Sequence, residues 1–316
     1  MPITLLGGDL GGTKTLLALT EIRRGYPGIV REERFASQDY DQFEEILAAF
    51  LHGYDTPIVA ACFGIAGPVE GRSARLTYLP WRLDADALEK RFSIGQLRLV
   101  NDFAAAAQGI DFLSGNAVLS LQDGIARGRA PRLILGAGTG LGVAGQVWSE
   151  GRYRVVPGEG GHAGFSPQTA EQRALATYLA ERTGRVTAED VLSGPGLARI
   201  HSFLTGSELP PDEIGIAALA GEEEAERTVA FWLAALGAFA GDLALQWLAR
   251  GGVYLAGGVA AKLLPALSPE PFIRAFRDKR EHAGLVEQMP IHLIRDERLG
   301  LLGALALAAQ QSGTGS

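Results

Sequence analysis

Leu97-Arg98-Leu99-Val100-Asn101-Asp102-Phe103 is the stretch on which the reading of the chain turns. Leu97 to Val100 predict a strand that stops at two polar residues, and an alanine-rich helix, Ala104 to about Ile110, follows. Ligands of open α/β sheets sit at such strand ends. Asp102 has no Lys or His nearby in sequence to neutralise it, so its carboxylate is placed to accept a proton from an alcohol, as a general base does. Asn101 both donates and accepts hydrogen bonds, which suits a sugar hydroxyl. In isolation the simpler reading is an Asn-Asp helix cap. The rest of the chain changes that balance.

Upstream, Ile3 to Asp9 and Thr13 to Thr20 predict two strands joined at Gly11-Gly12, a hairpin whose turn carries glycines and an aspartate. Ile29 to Phe35 predicts a third strand. Asp41 to Leu51 predicts a helix, capped by Asp41 and stopped by Gly53. Pro57 to Gly64 is a nearly continuous apolar run, as in a strand covered on both faces. Asp84 to Phe92 predicts a short helix before the Leu97 strand.

After residue 110 the pattern restarts. Arg132 to Leu135 and Leu141 to Trp148 flank Gly136-Ala137-Gly138-Thr139-Gly140, an echo of the first hairpin that predicts a duplicated topology. Helices are predicted over Thr169–Glu181, from Pro195, over Glu222–Arg250 and Val259–Leu267, and at the end over Leu299–Gln311. Strands are predicted at Val253–Ala256 and Ile291–Ile294, and Ser312–Ser316 as a frayed tail. The expected division is 1–110 plus 299–316 as a small α/β domain and 111–298 as a large one.

A chain of 316 residues with 47% hydrophobic and 21% charged content can bury a large core. Its net charge of -7, without a long basic run, disfavours nucleic acid or an anionic membrane as partner. A phosphate remains open, because backbone N–H groups and a metal hold one without a basic surface. The single cysteine, Cys62, excludes an intrachain disulfide and a multi-cysteine zinc site. The start lacks the basic flank and length of a signal peptide. The uncharged run Thr228–Gly241 is short for a membrane span. A soluble, cytoplasmic protein is expected.

Five motifs carry the chemistry. In Gly8-Asp9-Leu10-Gly11-Gly12-Thr13-Lys14 the glycines let the backbone approach a phosphate, and Asp9 can hold a magnesium ion through water. This is no Walker loop, since a strand follows rather than a helix. Gly136 to Gly142, with Gly138, Thr139 and Gly140 at its turn, repeats the arrangement. Each alone reads equally well as an ordinary hairpin turn; two at equivalent places can grip one polyphosphate. Glu159 and His162, three apart among glycines in Pro157-Gly158-Glu159-Gly160-Gly161-His162, suit a polyol, whereas metal binding is weak without a second His or Cys. Glu189 falls in the first turn of a short helix capped by Thr187, which by itself reads as a stabilising N-terminal acid. Gly257-Gly258 forms a strand-to-helix turn where a nucleoside can lie flat.

The order of these motifs resembles that of the bacterial glucokinases of the hexokinase/actin-like superfamily. The resemblance rests on GGDLGGTKT at 7–15, FGIAGPVEG at 63–71, LVNDF at 99–103, GAGTGLGVA at 136–144, PGEGGHAGFSP at 157–167, VLSGPGLARI at 191–200, GGVYLAGGVAAK at 251–262 and IRDERLGLLGA at 294–304. It implies a two-domain α/β, ribonuclease H-like fold with its active site in the interdomain cleft. It also implies Asp102 as the catalytic base, and Asn101, Asp102, Glu159, His162 and Glu189 as sugar contacts. ATP would be held by Gly8, Asp9, Leu10, Gly11, Gly12 and Thr13, by Gly138, Thr139 and Gly140, and by Gly257 and Gly258. Mg2+ is implied with ATP, and a homodimer. Related zinc-bearing sugar kinases and repressors carry a cysteine cluster after the His. This chain has none, so no structural zinc is expected. Tyr78 stands where the resemblance leads one to expect Asn.

The expected reaction is phosphoryl transfer from MgATP to the 6-hydroxyl of glucose, governed by positioning and charge neutralisation. The alternative within enzymes is a kinase for another hexose, N-acetylglucosamine or mannose. A sugar-responsive repressor would need a DNA-binding segment before Gly7, where six residues stand. An actin-like or chaperone-type ATPase would not need a sugar clamp.

Overall fold

A computed structural model describes residues 3–23, 26–113, 115–264 and 267–313. The first elements are β1 (Ile3–Leu10), β2 (Lys14–Arg23), β3 (Tyr26–Ala36), α1 (Phe43–Leu51), β4 (Ile58–Ile65), β5 (Val69–Glu70), β6 (Ser73–Arg75), β7 (Arg82–Asp84), α2 (Ala85–Phe92), β8 (Gln96–Asn101) and α3 (Asp102–Gly109). Then come β9 (Val118–Gln122), β10 (Arg132–Ala137), β11 (Leu141–Ser149), β12 (Arg152–Gly158), α4 (Ala170–Thr183), α5 (Ala188–Leu192), α6 (Gly194–Thr205), α7 (Pro211–Leu219) and α8 (Glu223–Trp247). The chain closes with β13 (Val253–Ala256), α9 (Gly258–Leu263), α10 (Glu270–Arg277), α11 (Ala283–Val286), β14 (Ile291–Ile294) and α12 (Leu299–Gln311). Two compact units result: Met1–Ser114 with Asp296–Ser316, and Gly115–Arg295.

In the first unit the sheet order is β3-β2-β1-β4-β8. β1 runs antiparallel to β2 and parallel to β4, and β4 parallel to β8. In the second unit the order is β12-β11-β10-β13-β14-β9. There β10 runs antiparallel to β11 and parallel to β13, and β13 parallel to β14. Five strands thus repeat one topology, and each unit carries a glycine hairpin at the same step of it.

The apolar run of β4 has two unlike faces. Ala61, Phe63 and Ile65 pack with Leu6, Leu10, Leu97, Leu99 and the buried aromatics Phe43 and Phe50 of α1. Ala60 and Cys62 face the other way, with Ala105, Ala304, Leu307 and Ala308. Small residues on this second face let α3 and α12 lie close to the sheet and to each other. A Cβ on Gly303 would stand 1.7 Å from the Ala105 carbonyl oxygen, and one on Gly109 2.3 Å from that of Leu299. This packing is why the helix after Asp102 is alanine-rich. Since backbone, not a flexible side chain, blocks the space, Gly303→Ala is expected to lower the unfolding free energy by about 1–3 kcal/mol. Urea denaturation measures it, and an unshifted midpoint would mean that the two helices separate freely. Cys62 is fully buried there, and burial pushes its thiol up to about 12, so it behaves as a small apolar residue.

Several local expectations need correction. Asp41 does not cap α1: the cap is Gln42, without a side-chain bond, and the Asp41 N–H instead donates to Glu45. The helix after the Leu97 strand begins at Asp102 rather than Ala104. The long helix stops at Trp247, where Leu248 takes up a left-handed conformation, so Arg250 lies beyond it. It is the one described helix long and apolar enough to cross a membrane, but 67% of that window is buried and Trp232 is wholly buried in the second unit's core. The helix predicted over Val259–Leu267 is described as Gly258–Leu263, residues 265 and 266 lying outside the described ones, as do residues 314–316 of the predicted tail. The short sheet β5-β6-β7, strands β9 and β12, and helices α7 and α10 were not predicted.

Candidate active site

In the first unit, Asn101-Asp102 forms the helix start that the simpler reading expects. Asn101 caps α3: its Oδ1 accepts from the Phe103 and Ala104 N–H groups at 3.0 and 3.2 Å. The side-chain amide donors are what Asn101 has left to offer a ligand. Asp102 opens the helix, half-buried, and its Oδ1 also accepts from the Phe103 N–H at 2.8 Å.

Sheet register brings this end of β8 to the first hairpin. Asn101 pairs with Ile65 and Ile65 with Leu10, while Asp9 pairs with Gly64. Gly64 lets the start of α3 come close, since a Cβ there would meet Asp102 Cα at 3.4 Å. Burial, chiefly, and then the Asp102 charge push the Asp9 carboxyl up to about 7, against a smaller opposing pull from Lys14. Lys14 itself is engaged by Glu297 at 2.8 Å. Gly300, in the first turn of α12, packs against Asp9: a Cβ there would stand 2.7 Å from a carboxylate oxygen. Two acids therefore share one end of one sheet, held there by glycines.

Gly8 and Leu10 lie in the paired body of β1, and the Leu10 side chain is wholly in the core. Only Gly11, Gly12 and Thr13 form the turn, closed by the Gly11 N–H on the Lys14 carbonyl at 2.9 Å. Tyr78, 63% exposed, packs over this turn: a Cβ on Gly12 would meet its Cβ at 2.9 Å. The unexpected residue of the Thr77–Trp81 loop thus touches the hairpin.

In the second unit, Gly136 and Gly142 pair across the second hairpin, leaving Gly138, Thr139 and Gly140 as its turn. Gly257, at φ +93, and Gly258 link β13 to α9, with Gly257 against the Ala137 carbonyl. Glu159 and His162 are exposed on the loop after β12. Glu189, in α5, is partly buried. One carboxylate oxygen lies 4.0 Å from His162 Nδ1, and the other accepts from the Leu141 N–H at 2.8 Å. The structure thus joins Glu189, His162 and the second hairpin. Leu141, Gly161 and Gly300 fall within motifs read from the sequence but were not singled out there, and sequence reasoning missed Arg185, which donates to the His162 carbonyl at 3.3 Å.

The family model described as Glucokinase matches residues 6–311. A glucokinase from Trichormus variabilis is 37% identical over 338 residues, covering 97% of this chain and 99% of the relative. The chain belongs to the glucokinase family. Among solved structures, a glucokinase from an Antarctic psychrotroph superposes with a TM-score of 0.87 at 28% identity, covering 97% of this chain and 99% of that one. A glucokinase from Balamuthia mandrillaris, solved with glucose, shares the fold at a TM-score of 0.82 and 22% identity, covering 97% and 94%. Glucokinases transfer a phosphoryl group from ATP to glucose, and a general base, phosphate-binding amides and a polyol clamp are what that reaction demands.

Proposed function

We propose that this chain phosphorylates glucose on its 6-hydroxyl with Asp102 as the base. The observation that supports the reading is the sharing of one sheet end by Asp102 and the Asp9 hairpin, as a proton acceptor working beside a phosphate-binding turn would require. The 6-oxygen attacks the γ-phosphorus of ATP, its proton passes to Asp102, and ADP leaves. Asn101, Glu159, His162 and Glu189 hold the other hydroxyls. Backbone amides at Gly11–Thr13 and Gly138–Gly140 hold phosphates, and Gly257-Gly258 receives the nucleoside.

Asp9 fits a role beside Mg2+. Among the described residues no group of three or more His, Cys, Asp or Glu could hold a metal, and Mg2+ is commonly bound by one or two carboxylates with substrate phosphates and water. Bound with ATP, that ion would supply charge neutralisation on the phosphate oxygens.

Steady-state kinetics with MgATP and a panel of hexoses test the assignment. A site built to pair each hydroxyl penalises a sugar that leaves a partner unpaired. Glucose is expected to exceed N-acetylglucosamine and galactose in kcat/KM by at least about tenfold, the equivalent of one lost buried hydrogen bond to a charged group. Preference for N-acetylglucosamine would replace glucose as the substrate while leaving the kinase assignment in place.

A further inference from the structure

The sugar-side loop and the second hairpin are one hydrogen-bonded block. The Ala188 N–H donates to the Ala163 carbonyl at 2.8 Å, and the Phe165 N–H to that of Val186 at 3.1 Å, zipping the loop after Glu159 onto the start of α5. Gly161 lies flat on Leu141, where a Cβ would stand 1.9 Å from the Leu141 carbonyl oxygen. The Gly194 N–H, at the start of α6, donates to the Gly138 carbonyl at 2.7 Å. Glu189 sits in the middle of this block. Its Oε2 accepts from the Leu141 N–H, the first amide after the turn, and its Oε1 faces His162. A Cβ on Gly140 would stand 2.8 Å from the same Oε2.

We propose that Glu189 is a positioning residue for the phosphate hairpin as well as a sugar contact, so that one carboxylate couples the two substrates. This rests on the proposed roles of the hairpin and of the sugar-side loop. A carboxylate that holds Leu141 fixes the orientation of the hairpin amides before nucleotide arrives. A sugar that engages the other oxygen fixes that carboxylate in turn, and the affinity gained by one substrate must equal that gained by the other.

The hairpin function of Glu189 separates from its sugar contact by choice of variant. Glu189→Gln keeps an oxygen able to accept from Leu141, whereas Glu189→Ala removes it. Calorimetric titration of the sugar-free protein with the magnesium complex of a non-hydrolysable ATP analogue is the measurement. Glu189→Ala is expected to bind it on the order of tenfold more weakly, and Glu189→Gln within about threefold of the original chain, as loss of a charge-assisted hydrogen bond or its replacement by a neutral one predicts. Gly140→Ala approaches from the opposite side. Its methyl group displaces Oε2, so glucose binding without nucleotide is expected to weaken several-fold although residue 140 belongs to the phosphate hairpin. Analogue binding by Glu189→Ala equal to that of the original chain overturns the proposal, as does unaltered glucose binding by Gly140→Ala. If the unmodified chain binds neither glucose nor the analogue, the functional reading fails instead, which is a distinct result.

Discussion

Asp102→Ala is expected to lower kcat by about 100- to 10,000-fold, the usual cost of losing a general base, while glucose binding stays measurable by calorimetry. The carboxylate is the group at the start of α3 that can take up the proton released by the 6-hydroxyl. Asn101, its neighbour, has its Oδ1 committed to the helix cap and carries no basic site. The competing account is that Asp102 merely complements the positive end of α3, a contribution of about 0.3–1 kcal/mol to stability and none to turnover. Asp102→Asn separates the two. Its side-chain oxygen can still accept from the Phe103 N–H, so the local hydrogen bond survives and only basicity is lost. Asn and Ala variants that fall together in kcat, with unfolding midpoints close to the original, identify proton acceptance. An Asn variant that keeps more than about a tenth of kcat, outside the general-base range, would reduce Asp102 to a helix-start acid.

The parts of this fold legible in the sequence are those whose signal is local. The two hairpins follow from glycines between alternating apolar runs, and α12 is read to its boundaries because a long apolar stretch begins after charged residues and gives way to Gln310, Gln311 and Ser312. Thr169 and Thr187 announce α4 and α5, and both accept from the backbone as caps do. By contrast, strands of two or three residues such as β5 and β6 carry too little pattern to be seen. Pro271 in α10 reads as an interruption, although proline is welcome in a first helical turn. At the site, the residue types were legible and their mutual service was not. Glu189 reads as a helix-start acid or a sugar ligand. That it holds Leu141, 48 positions away, is a property of the folded second unit. In the same way, nothing local to Asp9 reveals that Gly300, from the end of the chain, packs against it.

Asp9→Asn is expected to stabilise the metal-free protein and to impair catalysis. In the fold the Asp9 carboxyl is raised from an ordinary 3.8 to about 7, mainly by burial and then by Asp102. Between those two values the folded chain holds a proton that the unfolded chain has released, so stability falls as pH rises from about 4 to about 7. The stabilising contribution of the protonated form is complete below the lower value and gone above the upper one. At 1.36 kcal/mol per pH unit, this displacement corresponds to roughly 4 kcal/mol at most. Asparagine has the same shape and does not titrate. Its advantage over Asp9 in urea unfolding without metal should therefore be larger at pH 8 than at pH 4.5 by up to that amount. A difference that is the same at both pH values would mean that the carboxylate is solvated in the folded chain. The same substitution removes the charge proposed to act beside Mg2+, and a 10- to 100-fold loss of apparent Mg2+ affinity is expected, the usual effect of removing an outer partner of a bound metal. An acid kept under repulsion by Asp102 and burial is tolerated where function needs its charge, and the two measurements must move in opposite directions for that account to stand.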